Sequence, residues 1–448
     1  MKTAFVCSSC SYSAPKWLGC CPTCKEWNSF TEQSIAKQRT SHTLSPSLTT
    51  MHSLADIEET SITRMVTGIK EWDRVVGGGI VPGSLLIVTG DPGIGKSTLL
   101  LQLSEQLAHH HTLFYFSTEE SLKQVKLRAQ RIRCSSNQLF FSDASDLVVI
   151  IETIKTQKPS IAVIDSIQNC YLSDNSSSAS PGSINQLRES VFLLMRLAKE
   201  QSTAIIISGH ITKQGIIAGP KTLEHMVDGV FYLQTEERWQ TRILRSVKNR
   251  FGTTHETGFF RMNNHGLQEI PNINEYLIDD IQISPGSALT SIMEGTRPLL
   301  IELQSLCVKS KLTLPQRIIS GIDHKQVVLI AAILEKYLRI PFSTYDIFCK
   351  TRGDFTLDSA TTDLGIACSL LSSYFQQPLP DKSVILGEIS LTGSIQPINT
   401  FASYAKEATS FGLTTFIVSK KQKTPTTLTL YAFSHVYELL SLFNIKEK

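Results

Sequence analysis

No apolar run in this 448-residue chain is long enough to span a membrane, and its start lacks the charged-then-apolar pattern of a secretory signal. The expectation is therefore a cytoplasmic protein without a membrane partner. Charge of one sign is scarce as well: 43 Lys and Arg against 40 Asp and Glu leave a net charge of +3. That excess is too small to mark a nucleic-acid binder by itself, so any basic surface has to be local. No tandem repeat is visible, which leaves repeat architectures out.

What is present is the composition of a soluble globular protein, 41% hydrophobic and 19% charged. The length calls for two or three units. Ten cysteines would suggest disulfides in a small secreted chain, but Cys7, Cys10, Cys21 and Cys24 form two CxxC pairs in an apparently intracellular one. Metal is the better reading. Four thiolates hold Zn²⁺ tetrahedrally, and such a closed site is structural because no position is left for water. The Cys20–Cys21 doublet leaves the third ligand open: Cys21 fits a CxxC spacing and Cys20 does not.

The segment Gly90-Asp91-Pro92-Gly93-Ile94-Gly95-Lys96-Ser97-Thr98 closes a strand-like apolar run and opens a helix-like one, the context of a P-loop. Glycines let backbone N–H groups close around phosphate oxygens, and the helix N-terminus adds free donors and a favourable dipole. Lys96 is placed to reach the β- and γ-phosphates of ATP or GTP, and Ser97 to ligate Mg²⁺. Asp165 ends the apolar run 161–165 in the Walker B pattern. Glu119 and Glu120 follow another strand-like run, 113–116, and one of them is the candidate catalytic base. The plainer role for that pair is to stabilise the helix that begins at Ser121.

Along the chain, residues 1–30 form a small loop-rich knuckle. Residues 31–58 turn to Ser, Thr and polar types that bury no core and read as a linker. Over 59–270, strand-like and helix-like runs alternate, which argues a mostly parallel sheet. Two polar stretches inside it, 174–182 and 212–220, are ligand-ordered loop candidates. A connector rich in Asn, Pro and acidic residues then leads into a separate α/β unit, 271–448. The fold class is α/β throughout.

Essentially the whole chain resembles the bacterial RadA (Sms) family of DNA-repair proteins. The match rests on the cysteine pairs with Trp17, the P-loop, Ser117-Thr-Glu-Glu-Ser-Leu122, Asp165-Ser-Ile-Gln168, Gly209-His-Ile-Thr-Lys213, Leu223-Glu-His-Met-Val-Asp228 and, most specifically, Lys248-Asn-Arg-Phe-Gly252. The resemblance implies a RecA-like P-loop core assembled as a homo-oligomeric, hexameric ring, with single-stranded DNA through its centre. Glu119, the first acid after its strand, matches the catalytic glutamate better than Glu120. The Lys248–Gly252 motif couples nucleotide to DNA in that family, with Lys248 or Arg250 positioned toward a neighbour's phosphate. The two polar loops correspond to DNA-contacting loops, and Arg188, Lys213 and Lys221 are the cations near them. The implied activity is an ATP-driven motor for branch migration on single-stranded and branched DNA, with the recombinase RecA as partner and zinc serving partner contact.

The last domain resembles the Lon protease domain, whose chemistry needs a Ser–Lys dyad. Thr361 falls near the nucleophile position and Ala402 at the lysine position, so no dyad survives; Lys406, one helical turn on, is the only substitute. The domain is expected to be a proteolytically inactive scaffold for the ring. Two rival functions stay open: an ATP-dependent Lon-like protease, and a nucleotide-switched remodelling ATPase.

Overall fold

The computed structural model describes residues 2–10, 12–35, 53, 63–173, 183–210, 222–236, 241–278, 284–352, 355–424 and 428–443. Most of the linker 31–58 and both polar loops, with Lys213 and Lys221, lie outside these residues. The chain divides into two compact units: residues up to Val66 with Gly79–Thr89 and Leu103–Val230, and Thr67–Gly78 with Gly90–Gln102 and Phe231–Lys448. No described helix is long and apolar enough to cross a membrane.

The first unit begins with a three-stranded antiparallel sheet, Lys2–Cys7 between Ser13–Ala14 and Phe30–Ile35. Its larger part sets strands Leu85–Gly90, Ala204–His210, Ile161–Asp165, Leu113–Ser117 and Leu139–Ser142 side by side in that order. The last four pair in parallel. Parallel strands are joined by crossover helices that cover both sheet faces, so their sequences run apolar without alternation. Leu113–Ser117 and Ile161–Asp165 are accordingly buried at every position. The crossover helices are Leu122–Arg131, Leu147–Gln157 and Ile184–Gln201. Asp146 caps the second by accepting from the Val148 N–H at 3.0 Å, and Ser183 caps the third through Gln186 N–H at 3.3 Å. Ile150, Ile154, Val191 and Leu194 pack with Ile164, Ile205 and Ile207 into one core. Asp228 fastens strand Leu85–Gly90 at its start: its Oδ2 accepts from Leu85 N–H at 3.0 Å, and its own N–H donates to the Leu85 carbonyl at 2.9 Å.

The second unit carries the antiparallel strands Thr241–Asn249, Thr257–Asn263 and Gly266–Glu269, with helix Lys70–Val76 against them. The approach is close enough that a Cβ on Gly258 would lie 2.6 Å from the Glu71 carbonyl. Glu71 is fully buried. Its Oε2 accepts from Phe259 N–H at 2.9 Å and from Arg297 Nη1 at 2.6 Å, and burial pushes its carboxyl above the usual range against the pull of Arg297. Arg297 opens the strand Arg297–Lys309 of a seven-stranded mixed sheet, ordered Arg317–Ser320, Tyr345–Thr351, Arg297–Lys309, Ser287–Glu294, Ser383–Ile385, Thr415–Ser419, Thr429–Phe433. Helices His324–Leu338 and Asp363–Phe375 bury Val327, Ile330, Leu334, Leu364 and Leu370 in its main core, and Phe401–Ser410 contributes Phe401 and Tyr404 to a smaller one.

Candidate nucleotide site and metal centre

Strand Leu85–Gly90 runs straight into the glycine-rich turn, and helix Lys96–Leu107 starts at the lysine. Three glycines of the turn, Gly90, Gly93 and Gly95, have positive φ. Gly90 has φ +156°, and a Cβ there would fall 2.1 Å from the Leu233 carbonyl; Gly93 sits at φ +77° in the left-handed region. Asp91, Pro92 and Gly93 are exposed, whereas Ile94, Lys96 and Thr98 are buried and Gly95 and Ser97 half-buried. The Lys96 ammonium is held by two carbonyls, Gly90 O at 2.9 Å and Asp91 O at 3.0 Å. A buried ammonium in a glycine-rich turn at a helix start is a ready anion cradle. Arg242, on strand Thr241–Asn249, donates from Nε to the Ile94 carbonyl at 3.1 Å, while its Nη1 is buried with no hydrogen-bond partner among the described residues. Burial lowers its pKa. This arginine, 148 residues from the turn it braces, has no signal in the local sequence.

In the first unit, Asp165 ends its strand only 8% exposed, and both of its oxygens accept from hydroxyls. Tyr115 donates to Oδ2 at 2.7 Å and Ser208 to Oδ1 at 2.5 Å. Burial, and then the Asp165 carboxylate, hold the Tyr115 phenol well above its ordinary pKa, so it is a fixed donor. The Asp165–Ser166 peptide is cis, and Thr118 bonds the Ser166 carbonyl at 2.6 Å. The two acids after strand Leu113–Ser117 differ. Glu120 is ion-paired with Arg128, and its carbonyl accepts from Ser117 Oγ at 2.7 Å. Glu119 is exposed. Arg188 is exposed on helix Ile184–Gln201.

The Lys248–Gly252 motif divides into scaffold and surface. Asn249 is buried: its Nδ2 donates to the Val76 and Val75 carbonyls at 3.1 and 3.4 Å, closing the end of helix Lys70–Val76, and its Oδ1 accepts from Phe251 N–H at 2.9 Å. A Cβ at position 252 would lie 2.9 Å from Asn249 Nδ2 and 3.0 Å from Gly77. Lys248 is half-buried and Arg250 exposed on the turn so built.

The cysteines converge. Sulfurs of Cys7, Cys10, Cys21 and Cys24 all lie within 4.8 Å of one another, with Cys7–Cys24 at 3.6 Å and Cys10–Cys21 at 3.4 Å. A tetrahedral zinc with bonds of about 2.3 Å needs sulfurs about 3.8 Å apart, so the tetrad fits that ion. Ser29 Oγ, 3.1 Å from Cys7, draws its thiol down to about 6 against the opposing effect of burial. Cys20 stands outside the tetrad, its sulfur turned to the Cys21 carbonyl at 3.8 Å, and the doublet is resolved in favour of Cys21.

At the segment compared with the Lon nucleophile, what meets Thr361 is hydroxyl: Ser359 Oγ at 2.9 Å and the Tyr404 phenol. Ala402 and Lys406 lie on the exposed face of helix Phe401–Ser410, opposite its buried Tyr404, Ala405 and Ala408. A cavity of about 390 Å³ opens beside Ser359, lined also by Gln234, Glu294, Asp358, Tyr404 and Arg245, whose guanidinium is paired with Glu294 at 2.5 Å.

Known proteins add to this geometry. Residues 5–32 match the family described as a rubredoxin metal binding domain, 53–215 an AAA domain, and 351–422 subunit ChlI of Mg-chelatase. Over its full length the chain is similar to the DNA repair protein RadA of Halalkalibacterium halodurans, 41% identical across 98% of both chains. It is likewise similar to the DNA repair protein RadA of Listeria monocytogenes, 43% identical over 94% of this chain and 93% of that one. Among solved structures, a KaiC-like protein of Pyrococcus horikoshii OT3 has 19% identity and a TM-score of 0.40, covering 47% of this chain and 100% of that one.

Proposed function

Since the chain belongs to the RadA family of DNA repair proteins, we propose that it is an ATP-hydrolysing motor, stimulated by single-stranded DNA, that drives branch migration at recombination intermediates alongside the recombinase RecA. The observation that carries this reading is the Lys96 ammonium, buried in the glycine turn at the start of a helix and donating to the Gly90 and Asp91 carbonyls, where phosphate oxygens are better partners. In this reading residues 90–98 bind ATP, with Lys96 on its β- and γ-phosphates. Ser97 would ligate Mg²⁺, which would neutralise charge developing on the transferred phosphoryl group, and Asp165 is the Walker B carboxylate of this reading. Tyr115 and Ser208 keep the Asp165 carboxylate oriented. Glu119 takes the proton of the attacking water, while Glu120, committed to Arg128, positions the segment.

Assembly as a hexameric ring brings Lys248 or Arg250 to a neighbour's phosphate. Asn249 and Gly252 hold the turn that presents them. Arg188, Lys213 and Lys221 contact the DNA backbone without sequence preference. The zinc knuckle serves partner contact, and the C-terminal domain is a scaffold without peptidase activity.

The test is the steady-state ATP hydrolysis rate with and without single-stranded DNA across a salt titration, with Lys96→Ala as the blank. Salt-sensitive stimulation is the expected result. Hydrolysis indifferent to DNA would replace the motor by a switch or remodelling ATPase.

A further inference from the structure

Helix Leu122–Arg131 of the first unit carries positive charge and no acid. Residues 122–133 hold five cations, Lys123, Lys126, Arg128, Arg131 and Arg133, and no acid occurs between Glu120 and Asp143. The whole chain has a net charge of only +3, so this one segment exceeds the molecular excess. Neighbouring helices mix their signs: Lys155 pairs with Glu152 at 2.9 Å, and Arg196 with Glu200 at 2.5 Å. On helix Leu122–Arg131 Arg128 is tied to Glu120, and Val125 is the buried residue. Lys123, Lys126, Leu127, Gln130 and Arg131 share the opposite, exposed face, with Arg133 just beyond the last turn.

Helix energetics explain only part of this pattern. Arg128 and Arg131 lie in the last turn, where cations complement the dipole. Lys123 stands in the first turn, where a cation is disfavoured, and Lys126 three residues on repels it. An arrangement that the fold does not reward points to a polyanion outside the fold. From Lys123 to Arg131 the helix rises about 12 Å, which matches the axial rise of three to four phosphates along one strand of a duplex. The face carries no aromatic ring, the element on which unpaired bases stack.

We propose that the face formed by Lys123, Lys126, Arg131 and Arg133 binds the phosphate backbone of duplex DNA, as a contact separate from the residues assigned above to single-stranded DNA. The full chain carrying Lys123→Gln, Lys126→Gln, Arg131→Gln and Arg133→Gln, with Arg128 retained, is compared with wild type for binding to a blunt random-sequence duplex between 50 and 200 mM salt. Loss of four phosphate contacts lowers the magnitude of the slope of log K against log salt by about 3 to 4, and the milder pair Lys123→Gln, Lys126→Gln lowers it by about 2. An unchanged slope in the folded variants overturns the proposal. So does retained duplex affinity with lost binding to polyglutamate, which would assign the face to an acidic protein. Stimulation of ATP hydrolysis by single strands, followed in the same samples, reports separately on the motor reading, because duplex binding is measured without ATP.

Discussion

The glycine turn at Gly90–Lys96 and the turn at Ser359–Thr361 both join extended chain to a helix with small and hydroxyl residues, yet in the first a lysine is buried within the turn itself. Lys96 is 5% exposed and clamped by the Gly90 and Asp91 carbonyls. Around Thr361 the neighbours are the hydroxyls of Ser359 and Tyr404, and the nearby lysine, Lys406, faces solvent on its helix. A hydroxyl without a base is a poor nucleophile, and a buried ammonium at a helix start is a strong electrophilic partner. The difference teaches that a polar turn becomes a reactive site only when the fold delivers a charge into it.

That contrast breaks most sharply at its two centres. Lys96→Ala is expected to lower ATP hydrolysis by at least about 100-fold, the scale of losing a preorganised charge at a transferring phosphoryl group. Thr361→Ala is expected to leave hydrolysis unchanged. Casein cleavage by wild type that disappears in Thr361→Ala or Lys406→Ala would reverse the assignment of the second turn.

A smaller effect is expected at Asp165. Tyr115→Phe removes one hydroxyl donor from a buried carboxylate; at about 1.5–3 kcal/mol for a hydrogen bond to a charged group, hydrolysis falls about tenfold or more and the Mg²⁺ concentration for half-maximal rate rises. Equal activity with an unshifted Mg²⁺ dependence would show that the phenol is only packing.

The smallest effect on hydrolysis, and the sharpest on metal, is expected at the knuckle. Cys21→Ser loses zinc and Cys20→Ser keeps one zinc per chain, as read by metal analysis of purified protein. Basal ATP hydrolysis is unchanged in both. Zinc retained in Cys21→Ser would shift the ligand set toward Cys20.

The glycine turn between strand and helix, the strand ending at Asp165 and the cysteine group are legible in the sequence because each is written in short local patterns. Local order fixes where the glycines and lysine stand, and the CxxC spacing brings two sulfurs together without help from the rest of the chain. The partners of those residues were not legible. Tyr115 and Ser208 reach Asp165 from strands 50 and 43 residues away, and Arg242 reaches Ile94 across 148. Such contacts depend on strand order, which no local pattern encodes. The same holds for Asn249: Lys248–Gly252 reads as one basic motif, and only its hydrogen bonds to the end of helix Lys70–Val76 separate the residues that build the turn from those it displays.

The buried pair of Glu71 and Arg297 bears on how this chain can be divided. Its carboxylate comes from a helix that precedes the glycine turn, and its guanidinium from the C-terminal sheet, 226 residues later. Cutting after residue 270 would strand a charge in an apolar interior, a loss of about 3–5 kcal/mol. Gene fusion, domain exchange or protease trimming at that point therefore meets an electrostatic barrier that a map of motifs along the chain does not reveal.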